Sequence, residues 1–225
     1  MEKYLIVAAG GSGTRMKSDI PKQFMLLANK PIILHTIQRF INAIPSINII
    51  VVLPEQYADQ WHQIIRQYHF QHKHHIAIGG NTRSESISNG LKLIANKKEL
   101  VAIHDAARPL VSTKTILNAI NTASIKGNAI PVVPITESVR KITNDHNCSI
   151  DRSELFLVQT PQCFRIEDIT KAYEQIIPSH SFTDDASVAE AANFQINLTE
   201  GNPENIKITH AHDIIIAEAL YPLIN

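Results

Sequence analysis

Tyr4-Leu5-Ile6-Val7-Ala8-Ala9-Gly10-Gly11-Ser12-Gly13-Thr14-Arg15-Met16 decides how the chain is read. Its first part is a short run that is apolar on both faces, as a buried parallel strand requires. Its second part places three glycines just past the strand, Gly10, Gly11 and Gly13. They let the backbone aim several N–H groups at one point, the geometry that cradles phosphates. A tight strand-to-helix turn would use the same residues. A Walker A loop ends in Gly-Lys-Ser/Thr, which Arg15-Met16 is not. A dinucleotide fingerprint needs Gly or Ala at Met16 and an acidic residue about twenty positions on, and neither is present. What remains is a glycine loop carrying its own arginine.

Outward from this loop, short apolar runs alternate with helix-period segments. Tyr4–Ala9, Ile47–Leu53, His75–Ile78, Leu100–His104 and Ala129–Val133 read as buried strands. Pro31–Ala43, Glu55–Tyr68, Arg83–Ala95 and Thr113–Lys126 each carry an apolar stripe at i, i+3, i+4. Pro31 and Pro54 sit where first-turn prolines belong. This alternation predicts an α/β fold, a doubly wound and mostly parallel sheet with right-handed crossovers. The rhythm breaks between Pro134 and Asp151. Thr136–Thr143 alternates polar and apolar residues, and Asn144–Asn147 is a turn cluster, so an antiparallel hairpin is expected. Such a hairpin buries little by itself, and we expect it to pack on another subunit. Helices return from Arg165, with a short strand pair at Gln195–Leu198 and Asn205–Thr209 and a last helix from Ala211. Residues 1–225 read as one domain with residues 134–152 as a β-arm, and no second catalytic domain is expected.

Composition bounds the function. Lys plus Arg number 21 and Asp plus Glu number 21, so no net field exists to hold a nucleic acid. The run Ile47–Leu53 is too short to span a bilayer, and the N-terminus has neither a cationic region nor a cleavage site. A cytoplasmic protein without membrane partners is expected, with Cys148 and Cys163 as free thiols. His69, His72, His74 and His75 fit no tight ligand set and read as a solvated helix end. Trp61 and the phenylalanines read as core.

Pro21-Lys22-Gln23 follows the glycine loop closely, and the proline restricts the approach to the lysine. Arg15 and Lys22 together at one strand mouth suit displacement at a phosphate, where negative charge builds on the transferring oxygens. Asp105 ends the fourth strand beside Arg108, where open α/β sheets bind ligands. The two could instead pair only to order the loop. Thr183-Asp184 reads equally as a ligand contact or as a helix N-cap.

The glycine loop followed by Pro21-Lys22-Gln23 resembles the signature of sugar nucleotidyltransferases, a Rossmann-like fold. Within them the chain resembles the 2-C-methyl-D-erythritol 4-phosphate cytidylyltransferases of the non-mevalonate isoprenoid pathway. The likeness runs on through His104-Asp105-Ala106-Ala107-Arg108-Pro109, Asp151-Arg152, Gln159-Thr160-Pro161-Gln162, Thr183-Asp184-Asp185-Ala186-Ser187 and Gly201 to Ile208. It therefore spans essentially the whole chain, in order.

The resemblance implies CMP transfer from CTP to the phosphate of methylerythritol phosphate, with Mg²⁺ on the triphosphate. The built-alike ribitol 5-phosphate cytidylyltransferase is the alternative; Ala107, Asp151-Arg152 and Thr183-Asp184-Asp185 favour the former. Arg15 and Lys22 match positions that stabilise the transition state, and Arg152 and Lys207 match those that hold the acceptor phosphate. Ala8, Ala9, Gly10, Gly11, Ser12, Gly13, Thr14, Gly80, Asn81, Ser86 and Ala106 match nucleotide-binding positions. An acidic residue is common in the family where Asn81 stands. Asp105, Arg108, Ser138, Thr160 and Thr183 match acceptor-binding positions, and Asp105 is also the implied Mg²⁺ contact. Ser138 keeps the hydroxyl of the family's usual threonine. A homodimer with exchanged arms is implied as well. Because a phosphate oxygen is already an anion at neutral pH, the reaction needs no general base, and no His–Asp or Cys–His constellation is seen.

Overall fold

A computed structural model describes residues 2–11, 20–144, 146–175 and 182–224. The first elements are β1 (Lys3–Ala8), the short pair β2 (Leu26–Leu27) and β3 (Lys30–Pro31), and α1 (Ile32–Ala43). They are followed by β4 (Asn48–Leu53), α2 (Ala58–Gln67), β5 (His74–Ile78), α3 (Arg83–Lys92), β6 (Leu100–Asp105) and α4 (Thr113–Lys126). Next come β7 (Asn128–Pro134), β8 (Val139–Thr143), β9 (His146–Ile150), β10 (Phe156–Val158) and β11 (Gln162–Arg165). The last elements are α5 (Ile166–Gln175), α6 (Asp185–Ala191), β12 (Leu198–Glu200) and α7 (Ala211–Leu220).

β1 lies between β4 and β6, with β5 outside β4, and all four are parallel. Successive side chains of a strand face opposite sides, so each central strand feeds two cores. Leu5, Val7, Ile49, Val51 and Ala102 pack under α1, α2 and α4, with Phe40 and Trp61 at the centre. Ile6, Ile50, Val52, Val101 and Ile103 pack under α3, α5 and α6. Helices therefore cover both faces, which is the doubly wound arrangement the alternation predicts. No helix among the described residues is long and apolar enough to cross a membrane.

The mostly parallel sheet is as expected, and two other expectations are corrected. β11 enters antiparallel between β6 and β7, and β10 runs antiparallel along β7, so the sheet is mixed though mostly parallel. Residues 205–209 form no strand. Their polar groups bond elsewhere: Asn205 Nδ2 donates to the Thr160 carbonyl at 2.8 Å and the Ile208 N–H to the Ala107 carbonyl at 2.9 Å. β12 pairs instead with β7, in parallel. The histidines are not one helix end. His74 lies in β5, half-buried, and accepts the Trp61 Nε1–H at 3.1 Å. The hairpin is present as β8 and β9, a separate two-stranded sheet whose turn closes through Asn144, at φ +50°.

The C-terminal end of β6 is fastened by a bulge. Val158 opposes Val132 and Cys163 opposes Ala129, so five steps along one strand face three along the other. Bulges of this kind re-aim side chains beside functional sites. Here the bulge turns Thr160, in a cis Thr160-Pro161 peptide, toward β6. Its Oγ1 accepts the Asp105 N–H at 3.1 Å and bonds His104 Nδ1 at 3.0 Å. His104 Nε2 in turn contacts the Arg108 carbonyl at 3.1 Å, which requires the proton on Nε2. One neutral imidazole thus satisfies Thr160 and the 105–108 turn together. Burial pushes the His104 pKa down to about 4.

Protonating His104 takes away the acceptor for the Thr160 hydroxyl, so between pH ~6.5 and ~4 the unfolded chain binds the proton that the folded chain refuses. Stability should fall as pH drops through that window, by about 2–4 kcal/mol from this one group. Urea unfolding at stepped pH checks it: His104→Gln should flatten the slope, and an unchanged slope contradicts this role.

Candidate active site

The parallel strands β1 and β6 end side by side, with the Ala106 N–H bonded to the Ala8 carbonyl at 3.1 Å. Above these ends a cleft is lined by Ala8, Ala9, Gly10 and Gly11 from the first strand and loop, and by Ala106. Gly80, Asn81 and Ser86 line its far wall. Every described residue that sequence reasoning assigned to the nucleotide is therefore in one place. Ser12, Gly13, Thr14 and Arg15 lie outside the described residues.

Lys22 is brought to this cleft by a 3₁₀ turn, Lys22–Phe24, that follows Pro21. The next residue anchors it: Gln23 is buried and its Nε2 donates to the Ala9 carbonyl at 2.8 Å. Phe24 stacks on Trp61, with ring centroids 6.4 Å apart. The Lys22 stem lies over the glycine loop, since a Cβ built on Gly11 would sit 3.8 Å from Lys22 Cε.

The far wall is a tightly closed loop before α3. Ser86 Oγ donates to the Thr82 carbonyl at 2.9 Å and accepts the Gly80 N–H at 3.1 Å. Thr82 caps α3 by accepting the Glu85 N–H at 3.1 Å, and Glu85 Oε2 accepts the Asn81 N–H at 2.7 Å. A Cβ on Gly80 would come within 2.4 Å of Glu85 Cβ, so glycine is required there. The Ser86 hydroxyl thus shapes the loop as well as facing the cleft.

A second cleft adjoins the first. It is lined by Arg108, Thr160, Gln162, Thr183 and Asp184, and it shares Arg83, Asp105 and Lys207 with the nucleotide cleft. Asp105 is the anion of this junction. Its Oδ2 lies 3.0 Å from Lys207 Nζ and 3.1 Å from Arg108 Nε. Burial alone would raise its pKa, but Lys207, Arg108 and Arg83 hold it well below the usual carboxylate range. Lys207 is fixed by its neighbours, because Ile208 is buried and Asp213 Oδ2 accepts both the Thr209 and His210 N–H groups at 2.7 Å. At 183–184 both readings hold: Thr183 lines the acceptor-side cleft, while Asp184 caps α6 by accepting the Ser187 N–H at 3.0 Å.

Ser138 and Arg152 are not brought to these clefts within their own chain. Both are exposed beside the arm, and Arg152 Nη1 donates to the Thr136 carbonyl. Both cations, Lys207 and Arg108, sit on one oxygen of Asp105, Oδ2. Among the described residues no group of three His, Cys, Asp or Glu side chains could hold a metal.

Sequence reasoning gave Arg83 no role, and quoted its partner Asp185 only as part of a motif. Arg83 opens α3 and Asp185 opens α6, and Arg83 Nη1 and Nη2 reach Asp185 Oδ1 and Oδ2 at 2.8 and 2.5 Å. A signal existed: a cation at a helix N-terminus opposes the helix dipole and calls for an anionic partner. Gln162 was quoted only as part of a motif; its Oε1 accepts the Asp185 and Ala186 N–H groups at 2.9 and 2.8 Å.

Comparisons with known proteins identify the family. The family model for IspD, 2-C-methyl-D-erythritol 4-phosphate cytidylyltransferase, matches residues 4–222. A 2-C-methyl-D-erythritol 4-phosphate cytidylyltransferase of Azobacteroides pseudotrichonymphae genomovar. CFP2 is 46% identical over 220 residues, 97% of this chain and 98% of its own length. The solved structure of the Francisella tularensis cytidylyltransferase of that name is 30% identical. It superposes with a TM-score of 0.82 over 97% of this chain and 99% of its own. The 4-diphosphocytidyl-2C-methyl-D-erythritol synthase of Anaerococcus prevotii DSM 20548 gives a TM-score of 0.85 at 26% identity, over 98% and 96%. By the family model and by likeness of sequence and fold, the chain belongs to the 2-C-methyl-D-erythritol 4-phosphate cytidylyltransferase family.

Proposed function

We propose that the chain transfers CMP from CTP to 2-C-methyl-D-erythritol 4-phosphate, giving 4-diphosphocytidyl-2-C-methyl-D-erythritol and pyrophosphate. The observation that carries this reading is the pair of adjoining clefts meeting at Asp105, Lys207 and Arg83. A nucleotide in one and a polyol phosphate in the other would bring their phosphates to that junction. An acceptor phosphate oxygen attacks the α-phosphorus, a new P–O bond forms, and the bond to the bridging oxygen of the β-phosphate breaks. Pyrophosphate leaves with that electron pair. Lys22 lies beside the glycine loop, where the α-phosphate charge would grow, and Lys207 faces the acceptor side. Catalysis then rests on alignment and fixed charge. Mg²⁺ enters as MgCTP, a substrate whose own oxygens hold the ion, with Asp105 aiming Lys207 and Arg108. Asp105 and Thr183, which line the acceptor-side cleft, would take the polyol hydroxyls.

The arm supports a homodimer with exchanged arms. β8 and β9 form an isolated hairpin, and Ile142 on it is 78% exposed. Exposed Phe156, Leu157 and Val158 extend the apolar surface along β10. Two-fold pairing would cover both arms at once, and would carry Ser138 and Arg152 to the neighbouring clefts, which their own chain does not do.

Two experiments test these readings. Offered CTP with methylerythritol phosphate or ribitol 5-phosphate, the protein should release pyrophosphate and give the cytidyl product of the first by mass. CTP should exceed ATP and GTP strongly in kcat/KM, since the base would meet a Gly80–Ser86 loop fixed by its own hydrogen bonds, which could not reshape for a purine. Equal turnover with ATP, or product from ribitol phosphate alone, overturns the assignment.

For the arms, Lys22→Ala and Arg152→Ala homodimers are mixed and allowed to exchange. Each alone should lose turnover by at least ~10²-fold, the usual cost of one charge-stabilising donor. If Arg152 serves the partner's site, a mixed dimer has one doubly lesioned and one intact site, and activity recovers to roughly a quarter of wild type. Subunits that demonstrably exchange yet stay inactive contradict the crossed arrangement.

A further inference from the structure

Arg83 is a cation at the meeting point of the two clefts that the reaction as described leaves unused. Its guanidinium is tied at the back to Asp185, which is fully buried. Asp185 itself cannot swing away. Its Oδ1 also accepts the Tyr173 hydroxyl at 2.6 Å, and its backbone N–H is held by Gln162 Oε1 at 2.9 Å. Burial works against the charge on Arg83, but Asp185 outweighs it and keeps the guanidinium ionised. A guanidinium has five N–H donors, and a bidentate carboxylate takes two. The side chain is 26% exposed, and the surfaces it shows line the nucleotide cleft and the acceptor-side cleft.

Resting on the reaction proposed above, we infer that Arg83 is a further catalytic residue, contacting the acceptor's phosphate at the junction of the clefts. Three residues line both clefts, and of these Asp105 is an anion and would repel a phosphate. Of the three, Lys207 and Arg83 are the cations able to receive it, with Arg108 also lining the acceptor-side cleft. Lys22 lines the nucleotide cleft and is not among the residues of the acceptor-side cleft, which divides the work between the two substrates. The buried carboxylate behind Arg83 turns the pair into a fixed dipole, positive end toward the cleft. Such a dipole holds the acceptor's phosphate in line for attack without moving, so its contribution is alignment of the nucleophile. Asp185, Tyr173 and Gln162 are positioning residues in this scheme.

Arg83→Lys keeps the charge and loses the fork, while the Arg83→Gln/Asp185→Asn double variant removes both charges and leaves no buried carboxylate unpaired. Each is assayed beside wild type, with KM and kcat measured separately for the two substrates, and CTP binding measured by calorimetry without acceptor. We expect the double variant to lose at least ~10²-fold in kcat/KM for the acceptor and Arg83→Lys about 10-fold, with CTP affinity within about 3-fold of wild type. Acceptor kcat/KM within 3-fold of wild type in either folded variant overturns the inference. So does a loss of CTP binding as large as the loss for the acceptor, which would mark Arg83 as a support of the nucleotide loop. If a variant does not fold, Tyr173→Phe loosens the same dipole gently, and an acceptor kcat/KM within 1.5-fold of wild type there also overturns it. Wild-type turnover separates this from the reaction itself: if wild type makes no cytidyl product, it is the reaction that has been misassigned.

Discussion

One carboxylate organises this molecule's chemistry. Asp105 stands at the carboxyl end of β6, buried, with Lys207 and Arg108 on the same oxygen and Arg83 nearby. Gathering like charges in a partly buried cleft is unfavourable, and a single anion among them offsets that cost while leaving the sum positive. The arrangement suits a site that must receive phosphates: the cations are collected and aimed before the substrates arrive. Each cation comes from a different stretch of chain. Arg108 follows β6, Lys207 precedes α7, and Arg83 opens α3. The carboxylate is thus also where distant segments are tied together.

The fold exists, functionally, to hold that strand end still. β6 is central in the sheet, with β1 on one side and β11 on the other. The bulge between β10 and β11 delivers Thr160, and neutral His104 closes the chain of hydrogen bonds from Asp105 N–H to the Arg108 carbonyl. Thr36 adds a bond from α1, its Oγ1 donating to the Ala106 carbonyl at 2.8 Å. Rigid strands and short, fully bonded loops give the placement accuracy that phosphoryl transfer by alignment demands.

Much of this was legible in the sequence, and for physical reasons. Strands buried on both faces must be apolar throughout, so Leu5–Val7, Ile49–Leu53 and Val101–Ile103 announced a doubly wound sheet. The glycine loop, Lys22 and Asp105 were readable because catalytic groups cluster at strand ends. What escaped was long-range. β10 and β11 are short, and their antiparallel entry depends on β7, some thirty residues away. Residues 205–209 carry a strand-like alternation, yet bonds from Asn205 and Ile208 to remote carbonyls replaced the ladder. Arg83 and Asp185 lie 102 positions apart, and no local pattern pairs them. The arm was foreseen as a hairpin from the alternation of Thr136–Thr143 and the turn cluster that begins at Asn144, which takes positive φ in the structure.

The central claim is that Asp105 acts by holding cations, with the metal carried by the nucleotide. The most direct measurement is the Mg²⁺ dependence of single-turnover rate in Asp105→Asn, at saturating CTP. Released from their anchor, Lys207 and Arg108 would be misaimed. The rate should fall by about 10²-fold while the Mg²⁺ concentration for half-maximal rate stays within about 2-fold of wild type. A half-maximal Mg²⁺ concentration raised 10-fold or more would make Asp105 a metal ligand and contradict the account.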